Sequence, residues 1–238
     1  FGDVPVAALT DPDYLRRRAA EINPESMSAA EEVLPGLEST DTTHFSIVDG
    51  EGNAVALTYT QNWEFGSGVV VEGAGFLLNN EMDDFSAKPG VPNKFGVVGG
   101  DMNAIAPGKR MLSSMTPTIL LRDDVPVTIV GSPGGSTIFT TIFQVILNVY
   151  DFDMSAQEAV SATRFHHQLP AATLIRYDQS RQVPEQTVMR LQRYGYSVEP
   201  NSWGDLGVAQ LIVKTPQGAL EAASDPRGRG RAEVIALP

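Results

Sequence analysis

One stretch, Val125 to Tyr150, limits the fold more than any other. Val125 to Val130 is a short β-branched run, Gly131-Ser132-Pro133-Gly134-Gly135-Ser136 interrupts it, and Thr137 to Tyr150 follows as a run that is apolar nearly all round. The first part reads as a strand and the glycine and proline cluster as a tight turn into a helix. A helix of that character is expected to be buried on both sides. With strands before this segment and after it, the order strands, then helices, then strands suggests a layered α+β domain.

The flanking pattern extends this reading. Thr118 to Arg122, the turn Asp123-Asp124 and Val125 to Val130 form a hairpin, and an earlier one runs from Phe45 and Ile47 through Asp49-Gly50-Glu51-Gly52-Asn53 into Ala54 to Thr60. Asp11-Pro12 reads as a helix cap with proline at the first helical position, and Asn23-Pro24 as its stop. The segment from Glu25 to Asp41 reads as an exposed acidic linker. Ser155-Ala156-Gln157-Glu158 is a capping-box pattern, Pro184 to Tyr194 closed by Gly195 a further helix, and Val208 to Val213 with Ala219 to Ala223 a closing hairpin. The fold class expected is α+β with antiparallel sheets. Residues 62 to 112, rich in Gly, Asn and Asp, make a loop region too long to be idle.

Composition removes several kinds of chemistry. The 238 residues carry 17 Lys and Arg against 29 Asp and Glu, a net charge of -12 that repels phosphate backbones, so no nucleic-acid partner is expected. With no Cys there is no disulfide, thiolate-bound zinc, iron-sulfur cluster or thiol nucleophile. Of three histidines, His166 and His167 are adjacent, diverge and chelate poorly, so neither a metal nor another cofactor is expected and a structural role at a helix end is. His44, two positions after Thr42 and on the same face of a strand, either pairs with that threonine or is simply packed, and the packed reading is preferred. The most apolar window, Ile138 to Val149, contains Thr140, Thr141, Gln144 and Asn148 and falls short of the roughly 18 apolar residues of a membrane span. The chain opens on Phe1 without a leader pattern, so a signal peptide is expected to be absent or already removed. The glycine turn lacks the Lys of a phosphate loop. It either offers backbone N–H groups to an oxyanion or is a tight turn without a ligand, and both readings stay open.

Several strings together carry a resemblance. Thr42-Thr43-His44-Phe45-Ser46-Ile47-Val48-Asp49, Thr58-Tyr59-Thr60-Gln61-Asn62, Leu77 to Phe85, Leu112-Ser113-Ser114-Met115-Thr116-Pro117-Thr118, Gly131 to Ser136, Arg164 to Gln168 and Ala223-Ser224-Asp225-Pro226-Arg227 resemble the small subunit of γ-glutamyltransferases. The resemblance implies an N-terminal nucleophile hydrolase, a four-layer αββα sandwich of which this chain supplies only part. It also implies self-cleavage between Asp41 and Thr42, so that residues 1–41 are the tail of a large subunit and 42–238 the small catalytic subunit. A free α-amine has a pKa of about 7.7–8.0, and at the head of the chain it could take the Thr42 hydroxyl proton without any histidine.

By the same resemblance Thr42 attacks the γ-carbonyl of glutathione or a related γ-glutamyl donor. Gly134 and Gly135 hold the oxyanion, and Thr60 orients the nucleophile. The resulting ester passes to water or to an amino acid or peptide. Asn62, Glu81 and Asp84 match the groups that hold the donor α-ammonium, and Ser113 and Ser114 those that hold its α-carboxylate. The loop Lys88 to Gly96 matches a lid whose gating aromatic is Phe95 where Tyr is often found, and Glu81 stands where some bacterial members have Gln. Partners implied are the large subunit, which brings a carboxylate-binding arginine, and the small-molecule donor and acceptor; the compartment implied is periplasmic or secreted. Two alternatives accompany this expectation: a cephalosporin (glutaryl) acylase or γ-polyglutamate depolymerase of the same superfamily, and a non-catalytic or uncleaved assembly partner.

Overall fold

The computed structural model describes residues 7, 10–20, 42–63, 65–93, 95–168 and 173–235. The acidic linker and Asp41 lie outside the described residues. Helix α1, Pro12–Ala20, begins as expected, with the Asp11 carboxylate accepting the Tyr14 N–H at 2.8 Å.

Three sheets follow. Strands β1 (Thr43–Val48) and β2 (Ala54–Tyr59) form the first hairpin, whose turn is closed by Asp49 Oδ1 accepting the N–H groups of Glu51 and Asn53, both at 2.9 Å. Strands β3 (Thr118–Arg122), β4 (Val125–Gly131), β8 (Gln210–Lys214) and β9 (Leu220–Ser224) make a four-stranded antiparallel sheet in that spatial order. Its first turn places Asp123 and Asp124 at φ 51° and 62°, the paired left-handed residues that match the strand twist. The third sheet, β5 (Phe165–His167), β6 (Leu174–Tyr177) and β7 (Ser197–Pro200), corrects the expectation of purely antiparallel sheets, because β6 and β7 run parallel. Helix α4, Glu185–Arg193, supplies part of the crossover that parallel neighbours require.

The core lies between the four-stranded sheet and helices α2 (Ile138–Tyr150) and α3 (Ala156–Ser161). Val130, Ile138, Ile142, Val145, Val160 and Leu211 are almost fully buried there, each contributing about 1.5–3 kcal/mol of transfer free energy. The Ser155 capping box starts α3 as expected. Only one face of α2 is covered, however. Phe139 and Phe143 are 49% and 61% exposed, which corrects the reading of a helix buried on both sides.

The β1–β2 hairpin packs on β4 and β8 with an unusual polarity. His44 faces inward, so close to Gly131 that a Cβ there would lie 2.1 Å from the imidazole. Phe45, Ile47, Val55, Leu57 and Tyr59 face outward and are exposed. Helices, sheet and hairpin thus form three stacked layers, with the apolar outer face of the hairpin exposed.

Candidate active site

The head of β1 meets the head of α2. The Thr42 hydroxyl donates to Thr60 Oγ1 at 3.2 Å, and Thr60 Oγ1 also accepts the Asn62 N–H at 2.8 Å. Thr60 therefore sits at a fixed point between the nucleophile candidate and the turn that follows β2. Asn62 reaches the required left-handed φ of 73°, which Asn tolerates better than most residues, and its side chain donates to the Asn80 carbonyl at 3.2 Å.

Across the site, Gly134 and Gly135 adopt φ 138° and 56°. A side chain at Gly134 would be strained and would press its Cβ to 2.7 Å from Thr137 Oγ1 and 3.2 Å from Gly207 Cα. The Gly134 carbonyl is turned toward the helix, accepting the Thr137 N–H at 3.0 Å and the Thr137 hydroxyl at 2.8 Å.

Nine of the ten residues singled out from the sequence line a single cavity of about 20 Å³: Thr42, Thr60, Asn62, Glu81, Asp84, Phe95, Ser113, Ser114 and Gly135. Gly134 stands next to its wall. Met115 and Ile138 complete the lining and were not anticipated, although one follows the serine pair directly and the other lies three residues after Gly135. These residues come from six separate segments, and among the described lining residues none is His, Lys or Arg.

The electrostatics follow from that composition. Glu81 is only 8% exposed and its Oε1 has no hydrogen-bond partner. Burial first, then the charge of Asp84, pushes its pKa up to about 7, and burial also raises that of Asp84. Asp83 Oδ2 is likewise buried without a partner. The described lining of the cavity thus carries two carboxyl groups and no basic side chain.

The histidines lie elsewhere. His44 Nδ1 is 2.8 Å from Thr58 Oγ1, its Nε2 3.1 Å from Ser46 Oγ, and burial lowers its pKa to about 4. It is a packed, neutral strand residue, as preferred. His166 is buried on β5, with Nδ1 2.9 Å from Thr140 Oγ1, and the His167 ring meets Tyr196 edge-on. A strand thus replaces the expected helix end. Among the described residues no cluster of His, Asp and Glu is placed to hold a metal ion.

A hydroxyl at the head of a strand, sharing one cavity with a glycine turn at the head of a helix between stacked sheet layers, marks the class: this is the fold of the N-terminal nucleophile hydrolases. Comparison with known proteins narrows it. The family profile "Gamma-glutamyltranspeptidase" matches residues 1–235. The glutathione hydrolase proenzyme of Pseudomonas aeruginosa is 58% identical over 235 residues, covering 99% of this chain and 42% of that protein. That of Escherichia coli is 46% identical over 232 residues, covering 95% and 39%. The γ-glutamyltranspeptidase of Pseudomonas nitroreducens complexed with L-DON superposes with a TM-score of 0.76 at 57% identity, over 82% of this chain and all of that one. The cephalosporin acylase of Bacillus halodurans gives 0.80 at 27% identity, over 99% and 40%. The chain belongs to the γ-glutamyltranspeptidase family. It spans about two fifths of the length of the curated relatives it matches.

Proposed function

We propose that this chain carries the catalytic half of an enzyme that transfers or hydrolyses γ-glutamyl groups, glutathione being the type substrate. In the continuous chain the Thr42 nitrogen is a peptide nitrogen. Attack of the Thr42 hydroxyl on the Asp41 carbonyl would move that acyl group from nitrogen to oxygen, and water would release it, freeing the amine. The chain then separates into residues 1–41, the tail of a large subunit, and 42–238. The freed amine takes the hydroxyl proton, and Oγ1 attacks the donor γ-carbonyl. The Gly134 and Gly135 N–H groups hold the oxyanion, the leaving amine takes the proton, and the ester goes to water or to an acceptor amine.

The observation that carries this reading is the cavity itself. It joins a hydroxyl nucleophile to two carboxyl groups that have no basic partner among the described lining residues on one side and two serine hydroxyls on another. An α-ammonium supplies the cation that Glu81, Asp84 and the Asn62 amide lack, and Ser113 and Ser114 can donate to an α-carboxylate. A glutaryl group has no ammonium, so this pocket favours γ-glutamyl donors over the acylase alternative. The exposed apolar face of β1–β2 and the exposed Phe139 and Phe143 support assembly with a large subunit. Among the described residues no helix is long and apolar enough to cross a membrane, and by family resemblance the location proposed is periplasmic or secreted.

The test uses the full-length precursor. Mass spectrometry is expected to find a fragment beginning at Thr42, and γ-glutamyl p-nitroanilide to be turned over where glutaryl p-nitroanilide is not. Thr42→Ala is expected to abolish both cleavage and turnover. Normal cleavage in that variant refutes the mechanism, and preference for the glutaryl substrate refutes the donor assignment. Asp84→Ala should lower kcat/KM for the γ-glutamyl substrate on the order of 100-fold, while general ester hydrolysis changes far less.

A further inference from the structure

The cavity around Thr42 holds about 20 Å³, room for one water and not for an amino acid. One wall of it is the segment carrying Phe95, which is organised around Asn93. The Asn93 Oδ1 accepts the N–H groups of Phe95 and Val97 at 3.0 and 2.9 Å, and its own N–H donates to the Val97 carbonyl at 3.0 Å. These bonds lie within the segment and travel with it. Among the described residues two side-chain bonds tie it to other parts of the chain: Asn93 Nδ2 to the Asp83 carbonyl at a long 3.4 Å, and Gln168 Nε2 to the Phe95 carbonyl at 3.0 Å.

The second bond reaches across 73 residues and ends on the motif Arg164 to Gln168, which the reaction itself does not use. Its polarity is fixed by chemistry. A backbone carbonyl only accepts, so the amide nitrogen of Gln168 must face Phe95 and Oε1 must face away. That oxygen lies 2.6 Å from the Ser136 hydroxyl and 3.0 Å from His166 Nε2, both of which can donate. Ser136 follows Gly135 directly at the start of α2. His166 is itself held through Nδ1, 2.9 Å from Thr140 Oγ1 on the first turn of α2. The Gln168 amide thus bridges the Phe95 wall to the glycine turn, with both its ends engaged and its orientation set.

We propose that Gln168 is the latch of this site: a positioning residue that holds the Phe95 segment closed over the cavity and couples it to the glycine turn. The proposal rests on the reading of the cavity as a γ-glutamyl donor site. Phe95 has no phenolic hydroxyl, so its backbone carbonyl is its polar hold on the rest of the site. Losing the latch opens the segment more often and admits water to the ester on Thr42.

The experiment compares wild type, Gln168→Leu and Gln168→Glu in the full-length, processed protein. Leucine removes the amide; glutamate keeps its shape but presents a carboxylate oxygen to the Phe95 carbonyl. Hydroxyl-radical labelling of the Phe95 ring, 5% exposed in the closed site, is expected to rise roughly fivefold in both variants, the worth of one neutral hydrogen bond, with Tyr177 on β6 unchanged. With γ-glutamyl p-nitroanilide and glycylglycine, the ratio of hydrolysis to transfer is expected to rise several-fold. Labelling of Phe95 equal to wild type overturns the latch, as does an equal rise at Phe95 and Tyr177. An unchanged partition ratio overturns its role in water exclusion. Greater labelling of Phe95 in an enzyme that turns over no γ-glutamyl donor keeps the latch and refutes the donor assignment instead.

Discussion

Among the described residues two clusters of carboxylates, one buried and one partly buried, are built on opposite principles. In one, Asp178 and Asp225 face Arg164 and Arg227: Arg164 Nη2 lies 2.5 Å from Asp225 Oδ2, Arg227 Nη2 2.6 Å from Asp178 Oδ2 and Arg227 Nη1 3.0 Å from Asp225 Oδ1. Leftover lone pairs accept backbone N–H groups of Arg164, Leu206 and Ala209. In the other, Glu81, Asp83 and Asp84 share one short 3-10 turn with no cation among the residues lining the cavity, and two of their oxygens have no partner. A matched cluster is finished when the chain folds. An unmatched one can be neutral only by taking up protons, or by waiting for a ligand that brings the positive charge.

Position agrees with that division. The matched cluster pins Leu206 to Ala209, and Gly207 in that run lies against Gly134, so the four charges form the support behind the glycine turn. The largest effect expected is therefore on stability and comes from breaking the match. Arg164→Leu leaves Asp225 and Asp178 with only one guanidinium between them, and is expected to cost about 3–5 kcal/mol in denaturant unfolding. Glu81→Gln, also at a buried acid, is expected to cost nothing at pH 8. Similar losses in the two variants would erase the distinction.

The matched and unmatched clusters also differ in how far the sequence reveals them. Both hairpins, the capping box at Ser155 and the turn into α2 are legible because each is a local pattern of period, cap or glycine. The pairing of Arg164 with Asp225 joins residues 61 apart, and the parallel pairing of β6 with β7 joins strands of four residues each; neither leaves a local pattern. The exposure of Phe139 and Phe143 was misread because an apolar run looks the same whether its second face meets this chain or another. The convergence of Asp84, Ser113 and Ser114 on the Thr42 cavity is legible only through family resemblance, since Asp83-Asp84 and Ser113-Ser114 read alone as solvated loop and turn. That Glu81 is buried and holds a proton near neutrality was not legible at all, because it depends on how residues 62 to 114 fold over one another.

The second prediction uses that proton. A carboxyl whose pKa is raised from 4.5 toward about 7 in the folded protein favours its neutral form there. The fold binds more protons than the unfolded chain between those values, so the Glu81 contribution is full below pH 4.5 and is lost as the pH rises through about 7. Activity runs the other way, because a donor ammonium needs the ionised pair. The kcat/KM for a γ-glutamyl donor is expected to rise through pH 7, with a separate limb near 8 from the Thr42 amine. Glu81→Gln should remove the limb near 7, keep the one near 8, and flatten the stability profile between pH 4.5 and 7. A limb near 7 that survives in the variant assigns it to another group.

The smallest effect expected comes from Phe95→Tyr. Phe95 is 5% exposed and lines the same cavity as Glu81 and Asp84, so a phenolic hydroxyl there adds one donor to a cavity whose acids lack partners. Hydrogen bonding to the ionised form of a carboxylate lowers its pKa, which opposes the burial that raises that of Glu81. The limb near pH 7 should therefore move to lower pH by less than one unit, and the hydrolysis-to-transfer ratio should fall as the segment gains a second hold beside Gln168. Combining Phe95→Tyr with Glu81→Gln separates the two effects: the pH shift should vanish, since its target is gone, while the change in partition remains. If both vanish together, the new hydroxyl acts only through Glu81, and the Phe95 segment is held by its backbone alone.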